Sequence, residues 1–326
     1  MLRQEDEFLH PVGEHPAWSE SHYFNFVDPD QVIGMFTRMG FRANEGWADG
    51  LHVLFLGGDR LAFTYGRREL NRGDENLQVA GLGLERIEPF QRWIVRYEGP
   101  AQDIPDGSIL MTRSKERPEG WYRPAELEMR LEFDAAADPF YDFAGERGHF
   151  EQTGAASGHI RLGTESWTVK GWGIRDKSWG PRDWQPGTAP AVASPQESEG
   201  RPAPFVTWFS ANFGRDMALG CSCFRQSDGT VRGSGWFQYE GKTQPLRDIV
   251  VESEYRSDSI LHSAMRLTGR TEDGRTRSVT GKVLTICPTK IAMPGGATFI
   301  NEGLAQFTLD GREGYGIAEY WNWVHK

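Results

Sequence analysis

Along most of the chain, apolar side chains alternate with polar ones or gather in short runs, and the 3.6-residue spacing of an amphipathic helix is nearly absent. Leu51 to Leu56, Leu61 to Tyr65, Leu77 to Leu84, Trp93 to Tyr97, Leu127 to Phe133 and His159 to Leu162 are rich in β-branched and aromatic residues. Each run is bounded by Gly, Asp or Pro, as strands are. The same grammar resumes with Phe205 to Phe213, Met217 to Phe224, Val231 to Tyr239, Ile249 to Tyr255, Leu261 to Leu267, Ser278 to Ile286, Ala297 to Ile300, Gly303 to Leu309 and Tyr315 to Trp323. Asp228-Gly229, Asp273-Gly274 and Asp310-Gly311 fall between such runs, where hairpins need residues tolerant of positive φ. The pattern predicts an all-β protein of antiparallel strands.

One segment reads two ways. Asp28-Pro29 resembles a helix start, with Val32, Phe36 and Met39 at helical spacing. Gly34 and Gly40 weaken that helix, and Met35, Thr37, Met39 and Phe41 alternate, which favours a strand. No short internal repeat stands out. A Gly-rich turn near Gly154 to Gly158 marks the best boundary, dividing the chain into domains 1–155 and 156–326. Residues 185–204, with five prolines and no apolar pattern, form either a lid over a site or a passive insertion.

Trp167 to Trp184, WTVKGWGIRDKSWGPRDW, crowds four Trp, two Arg, two Lys and two Asp around three Gly and one Pro. Such a mixture is costly to desolvate unless its members pair or line a cavity. If 166–178 is one strand, Arg175, Lys177 and Trp179 share a face, and Trp172, Ile174, Asp176 and Ser178 share the other. Asp176 beside Trp172 and Ile174 is then suited to proton donation. The alternative is an ion-pair lattice of Arg175, Asp176, Arg182 and Asp183 that pins a turn at Gly180-Pro181. His149 and Glu151 share a strand face just upstream and could relay a proton, or His149 is simply a satisfied surface residue. Glu302 and Glu319, beside Gly and aromatics, are reserve acid/base candidates or exposed strand-end carboxylates.

Composition narrows the classes. A hydrophobic fraction of 38% and a charged fraction of 25% describe a globular chain of 326 residues, long enough for two domains. A net charge of −10 argues against a nucleic-acid partner. No apolar run is long enough for a membrane span, and the acidic start MLRQEDEFLHPVGEH lacks a secretion signal's apolar centre, so a cytoplasmic location is expected. Cys221, Cys223 and Cys287 make no disulfide framework, and C-x-C without nearby ligands reads as reduced core or pocket rather than metal. The spacings of dinucleotide fingerprints, P-loops, zinc proteases and G-x-S-x-G hydrolases are missing, so no cofactor and no metal are expected. Twelve Trp suggest a large apolar pocket or an interface, the latter compatible with a homo-oligomer.

WSESHYFNFVDPD, HFEQTGAASG, GWGIRDKSWGPRDW and EGLAQFTLDGREGYGIAEYW together resemble the bacterial proteins related to hydroxyneurosporene synthase (carotenoid 1,2-hydratase) and the AttH-like family. The resemblance spans nearly the whole chain in islands, the central one being the specific one. It implies two consecutive lipocalin-like (calycin-type) β-barrels or half-barrels and a cofactor-independent site for isoprenoids, phenolics or polyketides. Arg175, Asp176, Ser178, Trp179 and Gly180 match the family motif. Lys177 departs from it, standing where the family commonly has His, and an ordinary lysine does not shuttle protons near neutral pH.

The expectation is an enzyme of hydratase/dehydratase or isomerase/cyclase type acting on a hydrophobic small molecule by acid catalysis. Asp176 donates the proton, Arg175 or Lys177 orients a polar substituent, and Trp172, Trp179, Trp184, Trp208 and Trp236 with His149 and Glu151 line the site. The alternative is a non-catalytic carrier or sensor that buries a lipid-like ligand in a barrel mouth. A third reading, an assembly scaffold, rests on the aromatics alone.

Overall fold

The computed structural model describes residues 2–182, 184, 203–226 and 228–325. The chain is all-β and divides into two units: Met1–Leu56, Leu61–Pro105 and Tyr122–Asp183 in the first, and Gly57–Arg60, Asp106–Trp121 and Trp184–Lys326 in the second. Both are antiparallel and lipocalin-like, and no described helix is long and apolar enough to cross a membrane.

The first unit contains β1 (Trp18–Asp28), β2 (Ile33–Arg42), β3 (Trp47–Phe55), β4 (Leu61–Glu69), β5 (Gln78–Val79), β6 (Leu82–Glu88), β7 (Arg92–Ile104), β8 (Arg123–Ala135), β9 (Phe140–Ala144), β10 (Arg147–Leu162) and β11 (Glu165–Pro181). They pair in the order β4-β3-β2-β1-β11-β10-β8-β7-β6-β5, with β9 added to β10. Leu61, Ala62 and Phe63 of β4 also pair with Ile104, Asp103 and Gln102 of β7, so the sheet curls back on itself. One face encloses a core of Phe24, Phe26, Met35, Leu54, Trp93, Val95, Leu131, Phe133 and Val169. Residues 28–42 are a turn and a strand, as the alternation required: Asp28 Oδ1 accepts the Asp30 and Gln31 amides and sends the chain back as β2.

The second unit is a closed barrel of β12 (Pro204–Asn212), β13 (Met217–Arg225), β14 (Val231–Tyr239), β15 (Lys242–Tyr255), β16 (His262–Thr271), β17 (Thr276–Met293), β18 (Gly296–Leu309) and β19 (Arg312–His325). Phe209, Leu219, Phe237, Leu267, Ile286, Phe307 and Tyr320 fill it, with Cys221 and Cys223 among them as free buried thiols. Gly229, Gly274 and Gly311 take the positive φ that the Asp-Gly turns demanded.

The boundary expected at 155/156 is wrong: it falls inside β10, and the units divide after Asp183. The glycines taken for a turn serve close strand approach instead. A Cβ at Gly154 would lie 2.3 Å from Phe133 Cζ, and one at Gly158 would lie 2.0 Å from the Arg130 carbonyl. The central motif up to Pro181 therefore lies in β11 of the first unit, and its last residue, Trp184, belongs to the second. Residues 185–202 of the proline-rich stretch, and Asp183, lie outside the described residues.

Candidate functional site

β11 is flanked by β1 and β10, so each of its side chains has two cross-strand neighbours on the same face. Arg175 lies between Phe24 and Gln152, and Lys177 between His22 and Phe150. Phe24 belongs to the core, so this face looks inward. Asp176 lies between Tyr23 and Glu151, and Ser178 between Ser21 and His149, on the opposite face. The parity inferred for 166–178 holds, and it separates Asp176 from both basic residues.

The inward face is an ion-pair network closed by the N-terminal segment. Arg175 donates to both carboxylate oxygens of Glu7 at 2.8 and 2.9 Å and to Gln152 Oε1 at 2.7 Å. Trp93 Nε1 donates to Glu7 as well, at 2.8 Å. Lys177 Nζ donates to Glu20, whose carboxylate also meets the His10 ring and accepts the His10 amide. The His10 ring stacks on Trp179 at 3.9 Å and reaches Asp6 through Nε2. Burial lowers the pKa of Arg175 and of Lys177, opposed by the carboxylates of Glu7 and Glu20. Burial works to raise the Glu20 pKa, but its bond to His10 and the Lys177 charge hold it below the usual range. His22 is pushed well down by burial and then by the charges of Lys177, Arg86 and Arg175. These buried groups neutralise one another, and none is presented to a ligand.

The opposite face carries two rows across three strands: Tyr23, Asp176 and Glu151, then Ser21, Ser178 and His149. His149 Nε2 is hydrogen-bonded to Asp176 and lies 3.5 Å from Glu151 Oε1. Ser21 and Ser178 share a hydrogen bond of 3.1 Å, and Arg182 Nη2 donates to Ser178 Oγ at 3.3 Å. Side-chain exposure runs from 3% at Glu151 through 16% at Asp176 to 35% at His149, so the trio grades from buried to open. Burial disfavours the charged His149 ring, but Asp176 and then Glu151 outweigh it and push its pKa up to about 9. The ring therefore holds a proton at neutral pH, bonded directly to Asp176. One imidazole and two carboxylates, with donor atoms within 4.8 Å of one another, have the composition of a cation site.

The structure thus brings together Asp176, His149 and Glu151 and leaves Trp172 on the same face, two turns of the pleat away. It puts Arg175, Lys177 and Trp179 on the other side. Of the lattice expected from Arg175, Asp176, Arg182 and Asp183, Arg175 and Asp176 face opposite ways, Arg182 reaches Ser178 on the Asp176 face, and Asp183 lies outside the described residues. Trp184, Trp208, Trp236, Glu302 and Glu319 belong to the second unit. Trp184 stacks on Trp321 at 5.2 Å, Trp236 is buried opposite Gly220, and Trp208 stands opposite Glu319, which in turn faces Glu302. Sequence reasoning missed Glu7, Glu20, His10 and Tyr23. The alternation of Glu20, His22 and Phe24 was a usable signal, since it places Glu20 on the face of an aromatic core residue.

The family described as "Domain of unknown function (DUF7064)" matches residues 3–324. Among curated proteins none matches. Solved structures share the fold at low identity. A candidate AttH of Nitrosomonas europaea has a TM-score of 0.56 at 14% identity, covering 97% of this chain and all of that one. CghA with Sch210972 has a TM-score of 0.54 at 11% identity, covering 95% and 89%. Kievitone hydratase from Nectria haematococca has a TM-score of 0.52 at 9% identity, covering 97% and 93%.

Proposed function

This chain belongs to the family described as a domain of unknown function (DUF7064), and from that premise we propose that it is an enzyme of hydratase/dehydratase or isomerase/cyclase type. It acts by acid catalysis from its own side chains, without a cofactor, on a hydrophobic isoprenoid, phenolic or polyketide-like molecule. The observation that carries this reading is the His149–Asp176 hydrogen bond, partly open and backed by buried Glu151. A proton held between a base and a carboxylate at the rim of a packed sheet is available to a substrate oxygen or alkene. Trp172, partly exposed, supplies aromatic surface on the same face, and Tyr23, buried against Phe36 at 6.0 Å, backs Asp176. The fold shared with a protein named as a hydratase supports the reaction class.

In dehydration the His149 ring of the pair delivers its proton to the leaving hydroxyl, the C–O bond breaks with its electrons going to water, and the neutral imidazole left beside the Asp176 carboxylate takes a proton from the neighbouring carbon, whose C–H electrons form the alkene and which restores the protonated ring. Arg175 and Lys177 act as struts of the core. The test is a thermal-shift screen of terpenoids, steroids and aryl compounds, with mass spectrometry of each compound after incubation. Conversion by the wild type that is lost in a folded Asp176→Asn variant supports the reading. Stabilising ligands returned unchanged would leave a carrier.

A further inference from the structure

The inward face of the first unit builds a carboxylate cradle and fills it with its own N-terminal segment. Arg175 holds the Glu7 carboxylate through both terminal nitrogens, and Trp93 Nε1 donates to the same group. The cradle is aimed by contacts that do not involve Glu7. Arg175 Nε donates to Gln152 Oε1 at 2.7 Å, and Gln152 Nε2 donates in turn to the Phe90 and Ala137 carbonyls, each at 2.8 Å. The guanidinium lies 5.0 Å from the Phe150 ring and 5.6 Å from those of Phe90 and Trp93. Its fork is set from behind, in the bidentate geometry that matches a carboxylate.

Charge at this end of the unit points the same way. Burial lowers the pKa of Arg86 as it does that of Arg175, and in both Glu7 is the first charge to oppose it. His22, buried beside Trp93 at 5.3 Å, keeps an Nε2 with no hydrogen-bond partner among the described residues. The segment that supplies Glu7 adds no strand: β1 begins at Trp18, and Gln4–Glu7 is a single 3-10 turn. Side chains hold it, through Glu7 itself, through the His10 ring and amide on Glu20, and through Arg86 Nη2 on the Glu7 carbonyl at 2.8 Å. Arg86 also lies 4.0 Å from the ring of Phe8, which is 39% exposed. The segment thus presents a carboxylate and, one residue on, a phenyl ring, and it can leave without breaking a strand ladder.

Going beyond the reaction on the Asp176 face, we propose that the cradle of Arg175 and Trp93 is a receptor for an aryl carboxylate, and that Glu7 and Phe8 fill it until such a ligand displaces the segment. The ligand's carboxylate takes the two Arg175 nitrogens and Trp93 Nε1, and its ring replaces Phe8 against the Arg86 guanidinium. With the segment in place the buried charges are matched and closed to solvent. With it displaced they are matched by the ligand instead, so the charge balance of the core is the same in both states.

The experiment titrates 4-phenylbutyrate, and its neutral counterpart 4-phenylbutanamide, into wild type, Glu7→Gln and the double variant Glu7→Leu with Arg175→Met. Calorimetry reads binding, and hydrogen exchange reads residues 2–17. A tethered carboxylate competes at an effective concentration on the order of millimolar, so Glu7→Gln is expected to bind the acid at least about tenfold tighter than wild type. A glutamate that only braces the core produces no such gain. In wild type the bound acid speeds exchange across 2–17 by about tenfold or more. The amide does neither, and the double variant binds neither compound. Equal affinities in wild type and Glu7→Gln, an amide that binds as well as the acid, or acid binding retained in the double variant overturns the inference. If Glu7→Gln does not fold, wild type decides: acid-specific binding with faster exchange supports the receptor. Binding with unchanged exchange, or no binding at about 50 mM acid, well above the tethered concentration, overturns it. Neither result bears on Asp176, whose side chain is on the opposite face.

Discussion

His149 and Asp176 are hydrogen-bonded across the β10–β11 pair although neither stands opposite the other: His149 faces Ser178, and Asp176 faces Glu151. Glu151 reaches the same ring at 3.5 Å, so one imidazole answers two carboxylates. Arg175, the residue before Asp176, is held by Glu7 on the other side of the sheet. Adjacent residues of one strand thus do different work, one in the core and one at the rim.

The first prediction concerns that bond and alkaline pH. His149 is raised from its ordinary 6.5 to about 9, so the stabilisation it confers is complete below pH 6.5 and is lost as pH rises through 9. Its ring is a third exposed, and solvent screening keeps the effect on the order of 1 kcal/mol. Melting temperature should fall between pH 6.5 and 9 in the wild type and fall less in Asp176→Asn. Turnover should fail over the same alkaline range, where the proton leaves. An NMR titration of the ring giving an ordinary histidine midpoint would sink this prediction.

The Glu7–Arg175 pair makes a different demand. Removing one member of a buried, bidentate pair leaves the other charged and unmatched, which costs about 3–5 kcal/mol. Glu7→Gln and Arg175→Met should each lower the urea midpoint accordingly, and Glu7→Leu with Arg175→Met should recover much of the loss. Since neither residue is on the Asp176 face, kcat of the folded fraction should stay within about twofold of wild type. A kcat collapse in a stable Arg175→Met protein would return Arg175 to the reaction.

Acid pH tests a third feature. His52 is fully buried, both ring nitrogens lack a hydrogen-bond partner among the described residues, and burial lowers its pKa to about 3. The unfolded chain takes up a proton below 6.5 while the folded one does not, so His52 erodes stability as pH falls from 6.5 toward 3. The slope is about 1.4 kcal/mol per pH unit for one such group. His262 in the second unit, also lowered to about 3, does the same there. His52→Leu should match or exceed wild-type stability at neutral pH and move acid unfolding of the first unit to lower pH. An unchanged acid midpoint would contradict it.

Strand alternation and Asp-Gly turns made the all-β class legible, and the parity of 166–178 was enough to set Asp176 against Arg175 and Lys177. What opposed those basic residues was not legible, because Arg175 finds Glu7 168 positions away. Nothing local to either residue encodes that pairing. The unit boundary was misplaced for a related reason. Glycine serves turns and close strand approach alike, and only the partner strand tells which; at Gly158 the partner is the Arg130 carbonyl.

Those glycines provide the last prediction. At Gly173 and Gly316 a Cβ would stand 1.8 Å from a backbone carbonyl oxygen of the neighbouring strand, a contact that no rotamer relieves. Gly173→Ala must push β1 from β11, which would break the Asn25–Ile174 bond and move Asp176 away from Tyr23. Gly316→Ala must do the same to β12 and β19 at Ser210. Overpacking of this kind costs about 3 kcal/mol or more where the backbone itself is the obstacle. Gly274→Ala is the control: nothing lies within 4 Å of its added Cβ, and its φ of +79 leaves only a turn strain, on the order of 1 kcal/mol. Urea midpoints should therefore rank Gly274→Ala well above both strand variants, with Gly173→Ala melting the first unit and Gly316→Ala the second. Equal, small losses at all three positions would mean that the two crossings are looser than the ladders require.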